Sequence, residues 1–335
     1  MSSASQAPHG DLGPVLTVRD LEVTFPTARG PLRAVGGISY SIDPGRTLGV
    51  VGESGCGKSV SALAVLGLVP PPGKVTGGTI ALGTLEVTAM DEGALPAIRG
   101  ERVSMIFQEP MTALNPVLSV GQQIAEAWAL HRAGTAADAR EAALTMLERV
   151  RIPNPVERYA NYPHQMSGGM RQRAMIAMAL ACGPELLIAD EPTTALDVTI
   201  QAQIIELMME MQAEFGMAIQ FISHNLGVVS EIADDVMVMY AGHIVEMAST
   251  EQIFSNPRHP YTRALMETVP RLGARATRLP TIAGTVPDLL DLPPGCPFSD
   301  RCPLADEGCR QAAPTLDDLG GGHLAACFKA REDGP

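Results

Sequence analysis

A glycine-rich segment that ends in lysine and serine is the part of this sequence whose residue types most directly predict chemistry. It reads Gly52-Glu53-Ser54-Gly55-Cys56-Gly57-Lys58-Ser59, which fits the phosphate-loop pattern G-x-x-x-x-G-K-[ST]. Glycines let backbone N–H groups converge on phosphate oxygens without interference from side chains. Lys58 is expected to neutralise charge on the β- and γ-phosphates, and the Ser59 hydroxyl is expected to hold Mg²⁺. The segment alone does not distinguish kinases, GTPases and ATPases.

Two adjacent acids, Asp190 and Glu191, follow an apolar run at residues 186–189. A buried strand there would deliver Asp190 to the edge of a sheet, where it can orient the water shell of Mg²⁺. Glu191 would then be placed to polarise an attacking water as a general base. Acidic residues are also common at helix N-termini. The position of this pair downstream of the phosphate loop, and just before the run P-T-T-A-L-D at residues 192–197, favours hydrolysis of ATP.

Four of the six cysteines, Cys296, Cys302, Cys309 and Cys327, lie close to the C-terminal end. The N-terminus shows no secretory signal, so a reducing compartment is expected, in which metal or redox roles are more frequent than disulfides. Four thiolates suit zinc or an iron–sulfur cluster. No two of these cysteines have the spacing of two to four residues that is usual in structural zinc sites. The residues leave an iron–sulfur cluster, zinc and buried free thiols as alternatives.

The elements that must position these residues can be predicted from hydrophobic periodicity and turn residues. Apolar alternation predicts strands, and a spacing of 3.6 residues predicts helices. The predicted strands cover residues 16–18, 21–23, 47–51, 186–189 and 218–223, with a hairpin over 235–247 that turns at Gly242. The predicted helical segments cover residues 119–150, 171–181 and 199–215.

The composition is typical of a folded protein rather than a disordered or nucleic-acid-coating one. Hydrophobic residues make up 46% and charged residues 18% of the chain, which suits a large core. The net charge of -13 disfavours binding to phosphate backbones. The strongest apolar run, residues 61–69, is shorter than the roughly 18 to 20 residues that a membrane span needs. We therefore expect a soluble protein, or one held at a membrane only by a partner.

The segment Ser167-Gly168-Gly169-Met170-Arg171, just upstream of the acidic pair, resembles the signature sequence of the ATP-binding-cassette (ABC) ATPases. The resemblance implies that the N–H groups at Ser167, Gly168 and Gly169 contact the γ-phosphate of ATP that a partner subunit holds, as anions are bound at helix N-termini. Two cassettes would then enclose two nucleotides head to tail. No internal repeat is visible, so this chain carries one cassette.

Further residues match the family in order, and their roles are implied by the resemblance. Gln108 resembles the glutamine that senses Mg²⁺ and the attacking water, and it would connect to the transmembrane partner. Asp197 resembles the D-loop aspartate, and His224 resembles the switch histidine that contacts the γ-phosphate. Phe25 stands where the family stacks an aromatic ring on adenine, although tyrosine is more usual there. Asn225 replaces a usual aspartate, which would change a local hydrogen bond without abolishing the switch.

The resemblance covers roughly residues 15–250 and implies an α/β fold. Its parts would be a RecA-like nucleotide-binding core, an antiparallel β subdomain, and a helical subdomain at about 109–175 that carries the signature. Residues 1–14 are expected to be disordered. Residues 251–335, where proline and arginine become frequent, would form a C-terminal extension that contains the four cysteines.

Two segments narrow the family to one branch. QEPMTALNPV at residues 108–117 and PRHPYTRAL at 257–265 resemble the ATPase subunits of dipeptide, oligopeptide and nickel importers. This implies a peripheral subunit on the cytoplasmic face of the cell membrane, with two permease subunits, a second and different ATPase chain and an extracytoplasmic solute-binding protein. No nucleic-acid partner is expected. The alternatives are an ATPase for nickel or another small solute, and a soluble ABC ATPase acting on nucleic acid or ribosomes.

The cysteine-containing extension also resembles this branch. Pro-Gly-Cys-Pro-Phe at residues 294–298 and Arg301-Cys302-Pro303 look like segments of peptide-importer ATPases, some of which bind a [4Fe-4S] cluster. The resemblance places a structural [4Fe-4S] cluster first, zinc second and free thiols third.

Overall fold

The computed structural model describes residues 13–109, 113–194, 196–268 and 282–331. The predicted disorder at residues 1–14 therefore falls almost wholly outside the described residues, as do three residues of the segment at 108–117.

One sheet is antiparallel and lies near the N-terminus. Its strands stand in the order β2-β1-β4-β5 and are β1 (Leu16–Thr27), β2 (Gly30–Ile42), β4 (Lys74–Leu82) and β5 (Leu85–Glu86). We predicted two short strands at 16–18 and 21–23, but the structure has one continuous β1. The register of β1 shifts between Val18 and Leu21, and Asp20 takes a left-handed backbone with φ 47°. This irregularity broke the alternation that the prediction relied on.

The second sheet has eight strands in the order β11-β12-β10-β9-β3-β8-β7-β6. Its strands are β3 (Thr47–Val51), β6 (Val103–Ile106), β7 (Leu186–Asp190), β8 (Ala218–Ile222), β9 (Asp235–Tyr240), β10 (His243–Ser249), β11 (Asp317–Asp318) and β12 (Leu324–Ala325). Strands β9, β3, β8, β7 and β6 are parallel, and every residue of β3 and β7 is buried, as expected for strands covered on both faces. The carboxyl ends of these strands meet at one edge of the sheet, which is where ligands bind in such folds.

The described helices are α1 (Lys58–Val65), α2 (Val120–Ala129), α3 (Ala136–Arg149), α4 (Pro155–Arg158), α5 (Gly168–Ala179), α6 (Val198–Phe215), α7 (Leu226–Ile232), α8 (Thr250–Ser255), α9 (Pro260–Glu267) and α10 (Glu307–Gln311). The predicted helical stretch 119–150 is two helices, because Ser119 and Thr135 each form a capping box that starts a new helix. Helix α5 begins three residues before the prediction, where the Ser167 hydroxyl accepts a hydrogen bond from Met170 N.

The residues after 282 pack against the core sheet. Strand β12 pairs with β10, and Phe298 is buried beside Tyr240 and Tyr261, with ring centroids 5.3 and 5.4 Å away. Within the described residues, the helices lack the combined length and hydropathy that a membrane span requires.

Candidate nucleotide site

The loop at residues 52–59 connects β3 to α1 and is pressed against neighbouring backbone. Gly52, Gly55 and Gly57 have φ of 152°, 81° and 101°, which residues with a Cβ rarely adopt. A Cβ added at Gly57 would lie 2.5 Å from the carbonyl oxygen of Ala34, and one at Gly52 would overlap the carbonyl oxygen of Met239. Glycine is therefore required at both positions by contact as well as by backbone conformation.

The Lys58 side chain is folded back across this loop, and Lys58 is only 6% exposed. Its Nζ donates hydrogen bonds to the carbonyl oxygens of Gly52 at 2.7 Å and Glu53 at 3.1 Å. Lys58 is also the first residue of α1, where the backbone N–H groups of the first turn have no partner within the helix. The ammonium and the helix N-terminus together suit an anion with several oxygens.

Asp190, the last residue of β7, lies beside Ser59 at the same edge of the sheet. The two side chains are hydrogen-bonded, burial raises the pKa of Asp190, and the Ser59 hydrogen bond opposes that increase. Asp190 Oδ1 is buried and has no hydrogen-bond partner among the described residues, although buried carboxylate oxygens normally have one. A hydroxyl and an unpaired carboxylate oxygen are ligands that suit Mg²⁺, so the donor set fits the predicted ion.

The Glu191 carboxylate is the meeting point of three side chains from separate segments. Gln108 Nε2 lies 3.1 Å from Oε2, Thr194 Oγ1 donates to Oε2 at 2.9 Å, and His224 Nδ1 lies 3.2 Å from Oε1. Burial raises the pKa of Glu191, but the hydrogen bonds from Thr194 and His224 outweigh it and hold the pKa below its ordinary value. An ionised carboxylate held in this way can accept a proton from a nearby water.

The backbone of Glu191 has a left-handed φ of 48°, and its N–H donates to the carbonyl oxygen of Ile222 at the end of β8. A non-glycine residue in this backbone conformation costs on the order of 1–3 kcal/mol.

Thr194 was missed by our sequence reasoning. The signal was available, because Thr194 is three residues after Glu191, and a hydroxyl at that spacing can reach back to the acid within one turn.

The signature residues lie at the start of α5. Ser167 and Gly168 are exposed, and a Cβ added at Gly169 would meet the Ile200 side chain of α6 at 3.0 Å. Asp197 caps α6 by accepting a hydrogen bond from Ile200 N at 3.0 Å. Among the described residues, no hydrogen bond joins the signature to the loop at residues 52–59.

The family resemblance also implied roles for Phe25 and Asn225. Phe25 is half-buried, and its ring lies directly over Gly73, where a Cβ would overlap it. Asn225 accepts a hydrogen bond from Gly227 N at 3.0 Å and so caps α7. The amide oxygen supplies the same acceptor that an aspartate would, so the cap is kept at this position.

Comparison with known proteins identifies the family. Residues 35–194 match the ABC transporter family, and residues 245–309 match the C-terminal region of oligopeptide/dipeptide transporters. A probable peptide ABC transporter ATP-binding protein of Sinorhizobium fredii is 53% identical over 327 residues, which cover 97% of each chain. The chain belongs to the ABC transporter ATP-binding proteins. It is an ATPase of this family, in which ATP hydrolysis powers transport, as the sequence predicts.

A second relative agrees with this assignment, and a solved structure shows the same fold. The oligopeptide transport ATP-binding protein OppD of Salmonella typhimurium is 48% identical over 331 residues, covering 99% of this chain and 98% of OppD. A dimeric ATP-binding cassette in a post-hydrolysis state with ADP and phosphate superposes with a TM-score of 0.64 at 23% identity, over 70% of this chain and 98% of that one. The predicted ABC cassette fold is confirmed.

The C-terminal part of this ABC ATPase brings its four cysteines to one place. Cys296, Cys302, Cys309 and Cys327 all line a cavity of about 20 Å³, and all are free thiols. Burial, and then the neighbouring cysteines, raise the pKa of Cys296 to about 11. Within the described residues, no group of three or more His, Cys, Asp or Glu side chains is arranged to hold a metal ion. The donor chemistry suits an iron–sulfur cluster, whereas the present arrangement of the thiols does not form a completed ligand set.

Our sequence reasoning also missed two residues that contact the phosphate loop from outside the cassette. Tyr261 Oη accepts a hydrogen bond from Glu53 N at 2.8 Å. Arg301 binds the Glu53 carboxylate through two nitrogens, at 2.6 and 3.0 Å. Both residues lie in segments that the sequence marked only as features of the importer branch, and nothing in their spacing indicated a contact with Glu53.

Proposed function

We propose that this ABC ATPase powers the import of di- or oligopeptides. The match of residues 245–309 to the oligopeptide/dipeptide C-terminal region, in the same chain as the cassette, carries the proposal. It is supported by the peptide-transport names of relatives that align over nearly the whole chain. We place the cassette at residues 15–250 and the extension at 251–335.

The proposed partners are those that the family implies. In ABC ATPases the signature of one cassette completes the ATP site of another, so we propose that Ser167–Gly169 serve the ATP of a second cassette, which is a different chain. Two permease subunits would hold the pair at the cytoplasmic face of the membrane, and a solute-binding protein would deliver the peptide. Gln108 lies two residues after the end of β6 and contacts Glu191, so it is suited to relay permease movement to the catalytic carboxylate.

The roles within the site divide among binding, positioning and proton transfer. Lys58 and the N–H groups of the loop bind the phosphates, and Ser59 with Asp190 would hold Mg²⁺, which neutralises phosphate charge when bound. Glu191 removes the proton from the attacking water, while Gln108 and His224 orient that carboxylate.

Two further residues complete the proposed site. Phe25 offers a ring face to adenine. Asp197, next to the signature, would contact the partner cassette.

The substrate can be tested by uptake in cells that lack this chain. We expect uptake of a labelled tripeptide to be lost and to return with the wild-type chain, but not with the Glu191→Gln variant. Peptide uptake without the chain, together with loss of labelled nickel uptake, would contradict peptide import and support a metal importer. ATPase activity stimulated by nucleic acid would point instead to a soluble role.

We also propose that the four C-terminal cysteines hold a structural [4Fe-4S] cluster, with zinc as the alternative. The proposal is supported by their position around one cavity and by the preference of iron–sulfur clusters for four thiolates. Protein purified without oxygen should contain iron and sulfide and absorb broadly near ~400 nm.

The matched control for this prediction is Cys182, which is buried elsewhere and donates to the carbonyl oxygen of Ala127. Cys302→Ser should remove the absorbance and the iron, whereas Cys182→Ser should keep both. Colourless protein with one zinc per chain would overturn the cluster.

A further inference from the structure

Glu53, the second residue of the phosphate loop, is held by the C-terminal part of the chain at three atoms. Its carboxylate receives two hydrogen bonds from Arg301, and its N–H donates to Tyr261 Oη. Its carbonyl oxygen accepts from Lys58 Nζ and from Cys56 N. The backbone of Glu53 is therefore fixed on one side by the loop itself and on the other by residues far along the chain.

Arg301 is rigidly placed for this contact. Its side chain is only 4% exposed, while that of Glu53 is 29% exposed. Arg301 Nε donates to the carbonyl oxygen of Ala283 at 2.9 Å, and the guanidinium lies 5.8 Å from the ring centroids of Tyr240 and Phe298. The hydrogen bonds to Glu53 raise the pKa of Arg301, so the guanidinium stays charged. A planar guanidinium held on several sides binds a carboxylate with a defined geometry.

The Arg301–Glu53 pair changes the charge that bound phosphates would meet. A carboxylate inside the loop that binds a triphosphate would repel it, because charges of the same sign interact over several ångströms at low dielectric. Arg301 neutralises that carboxylate. The mechanical consequence concerns Lys58, whose Nζ binds the Glu53 carbonyl oxygen, so movement of Glu53 would also displace the ammonium.

We propose that Arg301 is a positioning residue for ATP binding, through which the C-terminal extension holds the phosphate loop in its binding conformation and neutralises Glu53. The inference rests on the proposed assignment of residues 52–59 as the phosphate loop. Tyr261 assists from the same side through the Glu53 N–H.

The test is the affinity of the full-length chain for Mg²⁺-ATP, together with the KM and kcat for ATP of the complex that it forms with the second ATPase chain and the permeases. Arg301→Ala should raise Kd and KM for ATP by about 10-fold, the effect of losing hydrogen bonds between charged groups, while kcat at saturating ATP changes less than about 2-fold. Arg301→Lys keeps the charge and one hydrogen bond, so its Kd should lie between those of the wild type and Arg301→Ala.

Tyr261→Phe is a second variant in case Arg301→Ala does not fold. It keeps the packed ring and removes only the hydroxyl that accepts the hydrogen bond from Glu53 N–H. Its Kd for ATP should rise by about 3-fold. The matched control is Arg29→Ala. Arg29 also pairs with the extension, through Asp288 at 2.7 Å, but this pair is exposed, at 65% and 47%, so the Kd should not change.

Two results separate the possible failures. If Arg301→Ala, Arg301→Lys and Tyr261→Phe lower the melting temperature but keep the wild-type Kd and KM, the extension has only a structural role and the inference is overturned. If Lys58→Ala also keeps the wild-type affinity, the loop assignment itself is wrong, which is a different failure.

Discussion

Glu191→Gln is expected to lower the rate of ATP hydrolysis by about 10²- to 10⁴-fold, the usual contribution of a general base, while ATP binding is kept. Glutamine has nearly the same shape as glutamate and can still accept the Thr194 hydrogen bond, but it cannot take a proton from water. In the wild type, hydrogen bonds from Thr194 and His224 keep the pKa of Glu191 low, so the carboxylate is ionised and available as a base at neutral pH.

The measurement is steady-state phosphate release, with ATP binding and the oligomeric state followed in parallel. The variant should retain ATP and accumulate a closed cassette dimer with the second ATPase chain, because reopening requires hydrolysis. Glu185→Gln is the matched control, since Glu185 precedes β7 and pairs with Arg102 on the surface. Turnover of Glu191→Gln close to the wild-type rate would show that another group activates the water.

Lys58→Ala is expected to weaken ATP binding by about 100-fold, because it removes a cation and its hydrogen bonds to the phosphates. The same change leaves the carbonyl oxygens of Gly52 and Glu53 without the ammonium that they bind in the free protein. Both the charge of the site and the shape of the loop are affected. This variant should therefore fail in binding, whereas Glu191→Gln should fail in turnover.

Titration of the full-length chain with a fluorescent ATP analogue measures this effect, and a melting curve without nucleotide checks that the variant is folded. Lys74→Ala provides the control, because Lys74 is an exposed lysine on β4 and its loss should not change affinity. A folded Lys58→Ala variant that binds ATP as tightly as the wild type would exclude residues 52–59 as the phosphate loop.

The C-terminal contact and the catalytic site differ in what their variants should change. Glu191 variants should alter kcat, whereas Arg301 variants should alter KM. The contrast is useful because Glu53 and Glu191 are both acids of the proposed nucleotide site, yet Glu53 is paired with Arg301, whereas Glu191 is proposed to accept a proton.

The sequence by itself determined the parts of this protein whose chemistry is local. The loop at residues 52–59 was predicted from its glycine pattern, and the structure shows that these glycines have backbone conformations that other residues rarely adopt. The buried strands β3, β7 and β8 were predicted because strands buried on both faces are mostly apolar. The order of the motifs was enough to predict the ABC cassette fold.

Only the tertiary structure decided which distant residues meet. Gln108, Glu191 and His224 converge because the parallel strands that precede them end at one edge of the sheet. Arg301 reaches Glu53 because Phe298, three residues earlier, packs on Tyr240 and Tyr261. Contacts of this kind depend on packing between segments far apart in the chain, and neither periodicity nor spacing encodes them. The bulge at Asp20 and the break between α2 and α3 escaped prediction for a related reason, since single residues with capping or left-handed conformations overrode the hydrophobic pattern.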